Sequence, residues 1–405
     1  MVTLINLNMA DARSGLSGWP PVSFESRSWA PSAEGISRRA FRAHSGPYLA
    51  AVTPAIAGLT PSIGTDVQAL VAEATAALAR VDASLALAGV APLPAVLLRT
   101  ESASSSQIEQ LTASARSLAD AELGEPTGQN ARMVVANVRA MERALAHEGP
   151  VTTAALLDVH ATLVEPETVH GTGLRGEQVW IGGARTGPHL ADFVPPHHDG
   201  VASAMADLCA FTGRVDLPAL VHAAVAHAQF ETIHPFTDGN GRTGRALIHM
   251  MLREADLTRG ATVPVSAGLL HDTDAYFAAL GAFRDGDVEP VVARVAEAAL
   301  FAATLARDLS GSLTSMAQEW RGRIRARSGA AVWSLIELLP ARPVVSYDLV
   351  RDSLGVSAPT AYAAIDALVD VGVLRARGEG RRNRVWDAVE VLGALDDFAE
   401  RARRG

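Results

Sequence analysis

The stretch HPFTDGNGRTGR, residues 234–245, sets one histidine, one aspartate, one asparagine, two arginines and three glycines on twelve consecutive positions. The residues before it, LPALVHAAVAHAQFETI (217–233), are almost wholly apolar and predict a buried helix. Pro235 cannot continue that helix, so it ends near His234. A second helix is expected over 242–256, opening inside the stretch. Gly239, Gly241 and Gly244 allow backbone amides to converge on one point, and a helix N-terminus adds its positive dipole end there. Arg242 and Arg245 suit phosphate oxygens, and Asp238 suits Mg²⁺ beside phosphates. His234 titrates near neutrality and suits removal of a proton from an attacking hydroxyl. A lone Asp-Gly-Asn-Gly is an ordinary turn and lone arginines are solvated; the combination points to phosphoryl or nucleotidyl transfer.

The rest of the chain frames that motif. Its 405 residues allow two or three domains, and 48% hydrophobic against 20% charged residues supports a buried core. Abundant alanine and few strand-forming windows predict a mainly helical protein. A net charge of −9 does not draw the whole molecule to nucleic acid. The one cysteine, Cys209, lies in an apolar stretch and reads as a small buried residue, in keeping with a reducing compartment. With no secretory signal pattern and no membrane-length apolar run, the expectation is a cytoplasmic protein with no membrane partner.

Five regions are expected. Residues 1–38, rich in Ser, Gly and Pro, read as a flexible arm. Residues 39–125 form a helical module, with helical periodicity over 67–87 and 106–120. Residues 126–310 form the core, with helices at 130–147, 151–165, 201–213, 217–233, 242–256, 273–283 and 289–307. A connecting helix over 311–327 leads to a C-terminal module, 328–405. Inside the helical core, QVWIGG (178–183) followed by turn residues and FVPP (193–196) predicts a β-hairpin. His222 and His227 read as packed, hydrogen-bonded helix residues, and the His197–His198 pair lacks a spaced third ligand for zinc.

With every fixed position filled, HPFTDGNGRTGR resembles the signature of Fic-domain proteins, H-P-F-x-[DE]-G-N-G-R-x-x-R. VWIGG and FVPP are similar to the family's flap hairpin and the segment after it. The resemblance implies a mainly α Fic-type helical core with a small β-hairpin flap, and transfer of AMP from ATP to a Ser, Thr or Tyr hydroxyl of a protein target. It implies His234 as base, Asp238 as Mg²⁺ ligand, and Asn240 with the amides around Gly239 and Gly241 on the α-phosphate. Arg242 and Arg245 would hold the outer phosphates, and Phe236 would anchor the loop. The flap residues Gln178, Val179, Trp180, Ile181, Gly182 and Gly183 would align the target by strand addition, Trp180 serving equally well as a core anchor.

SSSQIEQ (104–110) carries two readings. It resembles the family's inhibitory helix, [S/T]-x-x-x-E-[G/N], through Ser105 and Glu109, with Arg245 as partner of the glutamate; Gln110 departs from the usual Gly or Asn. The alternative is a capping box, Ser106-x-x-Glu109, at a helix start. The first implies a low-activity resting enzyme and leaves removal of AMP open as a second activity.

The C-terminal module reads as a winged helix-turn-helix: short helices with N-cap Ser346 and Ser357, a turn at Gly355, then strands around the GEG of residues 378–380. Arg375, Arg377, Arg381, Arg382 and Arg384 give this segment a local excess of four positive charges, suited to DNA phosphates. Pro359, Thr360 and Tyr362 are the groove candidates, although the helix lacks Arg, Asn and Gln. A module for protein contacts or dimer packing is the competing reading, and homo-oligomerisation stays open. The sequence as a whole therefore predicts a Mg²⁺- and ATP-dependent protein adenylyltransferase, autoinhibited, with a regulatory C-terminal module. The alternative is a DNA-binding regulator whose core senses nucleotide or regulates itself.

Overall fold

The computed structural model describes residues 18–31, 37–87, 93–164, 171–183, 186–377 and 384–404. The chain is mainly helical, as composition predicts, and divides into two compact units.

The first unit comprises Met1–Val71, Arg143–Ala255 and Asp274–Arg294. Its centre is α8 (Ala219–Ile233), in which every residue from Leu220 to Ile233 is buried. A helix apolar on all sides has no solvent face to present, so neighbours must cover it completely. Among those neighbours are α7 (His198–Thr212) and α9 (Asn240–Glu254), the latter packed in turn by α6 (Thr153–Leu163). The antiparallel pair β1 (Ser23–Trp29) and β2 (Gly46–Val52) runs in register from Ser23↔Val52 to Trp29↔Gly46. Part of the stretch expected to be a loose arm is therefore an ordered strand. Trp19 packs at 5.9 Å on Phe283 of α11 (Thr273–Arg284), which further ties this segment down. The pairing was hidden because β1 is polar and mostly exposed, and its partner lies beyond α1 (Arg38–Ala43).

The second unit comprises Ala72–Glu142, Asp256–Thr273 and Val295–Gly405. Here α3 (Leu93–Ile108) packs against α10 (Val265–His271) and α16 (Val389–Arg403). The carboxylate of Glu101, fully buried, accepts hydrogen bonds from the Ser266 N–H at 2.8 Å and from its hydroxyl. That satisfies a charge which would otherwise be costly to bury. The helix expected over 106–120 is two elements: α3 stops at Ile108 and α4 (Ala115–Leu123) starts under the Ser114 cap. Likewise the helices expected at 289–307 and 311–327 are one, α12 (Glu289–Arg323), running through Gly311.

The C-terminal segment follows the order α13 (Ala331–Leu338), β3 (Val344–Ser346), α14 (Tyr347–Leu354), α15 (Ala358–Asp370), β4 (Arg375–Ala376), β5 (Val385–Asp387). Its antiparallel sheet has the order β3-β5-β4, an arrangement compatible with the winged helix-turn-helix expected. Ser346 caps α14 by accepting the Leu349 N–H at 3.2 Å, and Gly355 ends it at φ 60°. No helix among the described residues is long and apolar enough to cross a membrane.

Candidate active site

α8 ends on a strained residue. His234 stands at φ 51°, ψ 62° in the left-handed region, with its N–H donated to the Phe230 carbonyl at 2.8 Å. A non-glycine residue stays there only where its surroundings hold it. Arg175 supplies much of that hold. Its Nε donates to the His234 carbonyl at 2.8 Å, Nη1 to Glu177 at 3.0 Å and Nη2 to Pro196 at 2.5 Å, while its own N–H reaches the Pro235 carbonyl at 2.9 Å. A guanidinium at the carbonyl end of a helix also meets the negative end of the dipole.

The His234 side chain is one-fifth exposed, and its Nδ1 lies 3.8 Å from Glu231 Oε2. Burial, then the charges of Arg175 and Arg284, push the imidazole down to about 3, so it is neutral at pH 7. Arg284 lies with its guanidinium 3.9 Å from the Phe193 ring centroid.

The loop after His234 is braced from two sides. Phe236, fully buried, stacks on His160 at 3.7 Å between centroids, and His160 Nε2 lies 3.0 Å from the Asp238 carbonyl. Asn240 uses its side chain on Phe236: Oδ1 accepts the Phe236 N–H and Nδ2 donates to the Phe236 carbonyl, both at 2.8 Å. Its carboxamide is thus first a loop brace. Gly239, at φ 76°, is the N-cap of α9 with no side chain capping it, and a Cβ there would lie 2.9 Å from Leu163 Cδ2. The uncapped first turn, which includes Gly241, keeps the character of an anion site.

Arg242 and Arg245 are 3% and 2% exposed, so neither is a solvated surface arginine. Arg242 Nη2 lies 3.3 Å from Asp238 Oδ2, whose side chain is 56% exposed. Gly244 corrects its expected role. It sits within α9 against α8, where a Cβ would meet Glu231 Oε1 at 2.8 Å and Phe230 Cδ1 at 2.9 Å. Its absence of side chain serves helix packing rather than a phosphate turn. Its carbonyl lies 2.8 Å from His227 Nδ1, and His227 Nε2 lies 2.8 Å from the Tyr276 hydroxyl. His222 Nε2 similarly meets the Phe211 carbonyl at 2.9 Å, so both helix histidines are packed and hydrogen-bonded as expected.

The flap is less regular than a hairpin. Among the described residues of this segment a single antiparallel bridge joins Ile181 to Phe193, and residues 184–185 lie outside the described ones. Gln178 is held inside by the Tyr48 hydroxyl at 3.0 Å and the Pro195 carbonyl at 3.0 Å. Trp180 meets Trp29 edge-on at 5.2 Å, which makes it a core anchor. Val179, Gly182 and Gly183 complete the strip; a Cβ on Gly183 would fall 2.2 Å from the Leu190 carbonyl oxygen, so the backbone runs close there. The His197–His198 pair does find a third group: His197 Nδ1 lies 3.0 Å from Asp199 Oδ2, itself 3.6 Å from Arg27. Cys209 is half-buried, and burial raises its thiol pKa, keeping it protonated.

In the second unit, Ser105 is fully buried and Glu109 follows the last residue of α3. Ser106 sits inside that helix, donating to the Ser102 carbonyl at 2.8 Å, so the capping box does not form. Gln110 occupies φ 63°, the left-handed position that glycine and asparagine favour after a helix. Arg377, expected on DNA, turns inward to Asp387 at 2.7 Å and Asp120 at 2.7 Å. Thr360 bonds Ser357, and Tyr362 is exposed but stacks on Tyr347 at 4.3 Å. Arg375 and Arg384 are exposed, while Arg381 and Arg382 lie outside the described residues. The outer face of α15 also carries Asp366 and Asp370, charges that oppose phosphate.

Arg175, His160 and Arg284 were invisible in the sequence as site residues. Each is a single residue remote from the motif, with no local spacing to mark it.

Residues 150–252 match the family described as Fic/DOC family, and residues 68–146 match Fic/DOC family N-terminal. The chain is 30% identical over 149 residues to Protein adenylyltransferase Fic of Culex quinquefasciatus, covering 36% of this chain and 27% of that protein. It is 28% identical over 143 residues to Protein adenylyltransferase fic-1 of Caenorhabditis elegans, covering 35% and 26%. The chain thus spans about a quarter of the length of these curated relatives. Its fold is similar to the crystal structure of a Fic family protein from Desulfovibrio desulfuricans G20, with a TM-score of 0.55 at 21% identity over 83% of this chain and 98% of that one.

Proposed function

We propose that this chain, a Fic-domain protein, transfers AMP from ATP to a hydroxyl group of a protein target. The observation that carries the reading is a neutral, one-fifth-exposed His234 imidazole, on a residue whose main-chain carbonyl Arg175 holds, beside the uncapped N-terminus of α9. The hydroxyl oxygen attacks the α-phosphorus, the bond to the β-phosphate oxygen breaks, pyrophosphate leaves, and His234 accepts the hydroxyl proton. A pKa near 3 makes the imidazole by itself a weak acceptor. Burial is the largest cause of that depression, ahead of Arg175 and Arg284; phosphate charge near the imidazole favours its protonated form and raises its basicity when substrate is bound.

The α9 amides near Gly239 and Gly241 would take the α-phosphate, and Arg242 and Arg245 the outer phosphates. Asp238, an exposed carboxylate beside this cradle, fits a Mg²⁺ ligand. The ion when bound supplies neutralisation of phosphate charge. Glu109 at the end of α3 is read as the inhibitory group, so Glu109→Gly raises self-labelling.

Incubation with α-labelled ATP tests the assignment. Label enters the Glu109→Gly chain and is lost on further replacement of His234 by Ala. Label that survives His234→Ala removes the histidine from the role of base.

A further inference from the structure

Within the second unit, α3, α4 and α16 line a partly open cavity of about 60 Å³. One face of α3 lines it, with Val96, Arg99, Ala103 and Gln107 at helical-turn spacing. Leu395 and Ala399 of α16 and Leu118 of α4 add apolar wall. The charged groups of the lining are already engaged. Arg99 Nε donates to Glu122 Oε1 at 2.6 Å, and Asp396 Oδ1 accepts the Ala115 N–H at 3.0 Å. Thr100 donates to the Leu97 carbonyl at 2.8 Å. Gln107 and Ser104 contribute neutral hydrogen-bonding groups to the same wall. An apolar, concave wall with paired charges and a few neutral polar groups suits a neutral ligand and penalises a charged one.

The cavity wall also bears on the end of α3. Gln107 and Leu111 both line it, and between them stand Glu109 and the left-handed Gln110. We propose that this cavity binds a neutral, mainly apolar molecule of one or two rings, and that its occupancy shifts the last turn of α3 and so the setting of Glu109. The second half rests on the reading of Glu109 as inhibitory; the binding half stands without it.

The test uses the full chain with indole as probe and the anion indole-3-acetate as its charged counterpart. Indole gives a saturable rise in melting temperature, and indole-3-acetate gives none. Ala399→Trp fills the cavity and abolishes the response; Gln107→Ala, a milder change, weakens indole binding about threefold to tenfold. Absence of a saturable response in the wild type, or an unchanged indole midpoint in Gln107→Ala and in a folded Ala399→Trp, overturns the site. Saturating indole also raises wild-type self-labelling about fivefold or more, with no further rise in Glu109→Gly. Indole that binds without changing wild-type labelling, while Glu109→Gly labels strongly, overturns the coupling. A Glu109→Gly chain labelling no faster than wild type instead removes the inhibitory reading and leaves the cavity standing.

Discussion

Arg175 donates from Nε to the main-chain carbonyl of His234 at 2.8 Å, across 59 positions of sequence. The same guanidinium serves the carbonyls of Glu177 and Pro196, so one buried side chain ties the end of α8 to the approach of the flap. Lysine retains the charge but not the planar fork that spans these acceptors. Arg175→Lys therefore lowers the labelling rate about tenfold to a hundredfold by misplacing the imidazole. Arg175→Ala costs about 3 kcal/mol of stability, because several buried carbonyls lose their donor. Single-turnover labelling and denaturant melts read the two effects separately.

The depressed histidines set a pH dependence. His227 and His234 both sit at about 3 in the folded chain, against about 6.5 unfolded. Between those values the unfolded chain binds more protons, so stability rises as pH climbs towards about 6.5 and then levels. Each fully neutral histidine contributes a slope of at most about 1.4 kcal/mol per pH unit. The partly exposed His234 contributes less than His227. Denaturant melts at pH 5, 6 and 7 show a shallower slope for His234→Ala than for wild type; parallel slopes contradict a neutral buried imidazole.

Gly244→Ala forces a methyl group to within 2.8 Å of Glu231 Oε1 and 2.9 Å of Phe230 Cδ1. Separating α8 from α9 costs about 1–3 kcal/mol. Because these helices carry His234 and the proposed anion cradle, labelling falls with stability. Gly281→Ala in α11, where a Cβ meets nothing within 4 Å, is the control and holds or raises the melting temperature.

Gln110 holds a left-handed backbone at φ 63° without the freedom of glycine. Gln110→Gly relieves that conformation and stabilises the chain by about 0.5–1 kcal/mol. Gln110→Val, whose branched Cβ tolerates this region least, destabilises it. Equal melting temperatures for the two variants contradict the assigned backbone.

Local chemistry made a good part of this protein legible before any fold was known. Pro235 ends α8 and Gly239 caps α9 because φ limits act within a residue or two, and the apolar run 217–233 needs a covered position wherever it sits. For the same reason the turn at Gly355 and the strands on either side of residues 378–383 could be placed from sequence, as could the packed state of His222 and His227. Other features depend on what arrives from far along the chain. The pairing of β1 with β2, the stacking of His160 under Phe236, the Arg175 hold on His234 and the inward turn of Arg377 to Asp120 have no local period to announce them. Gly244 shows the difference within the motif: its lack of a side chain is visible in the sequence, but the reason, an α8 surface 2.8 Å from the absent Cβ, exists after the helices meet.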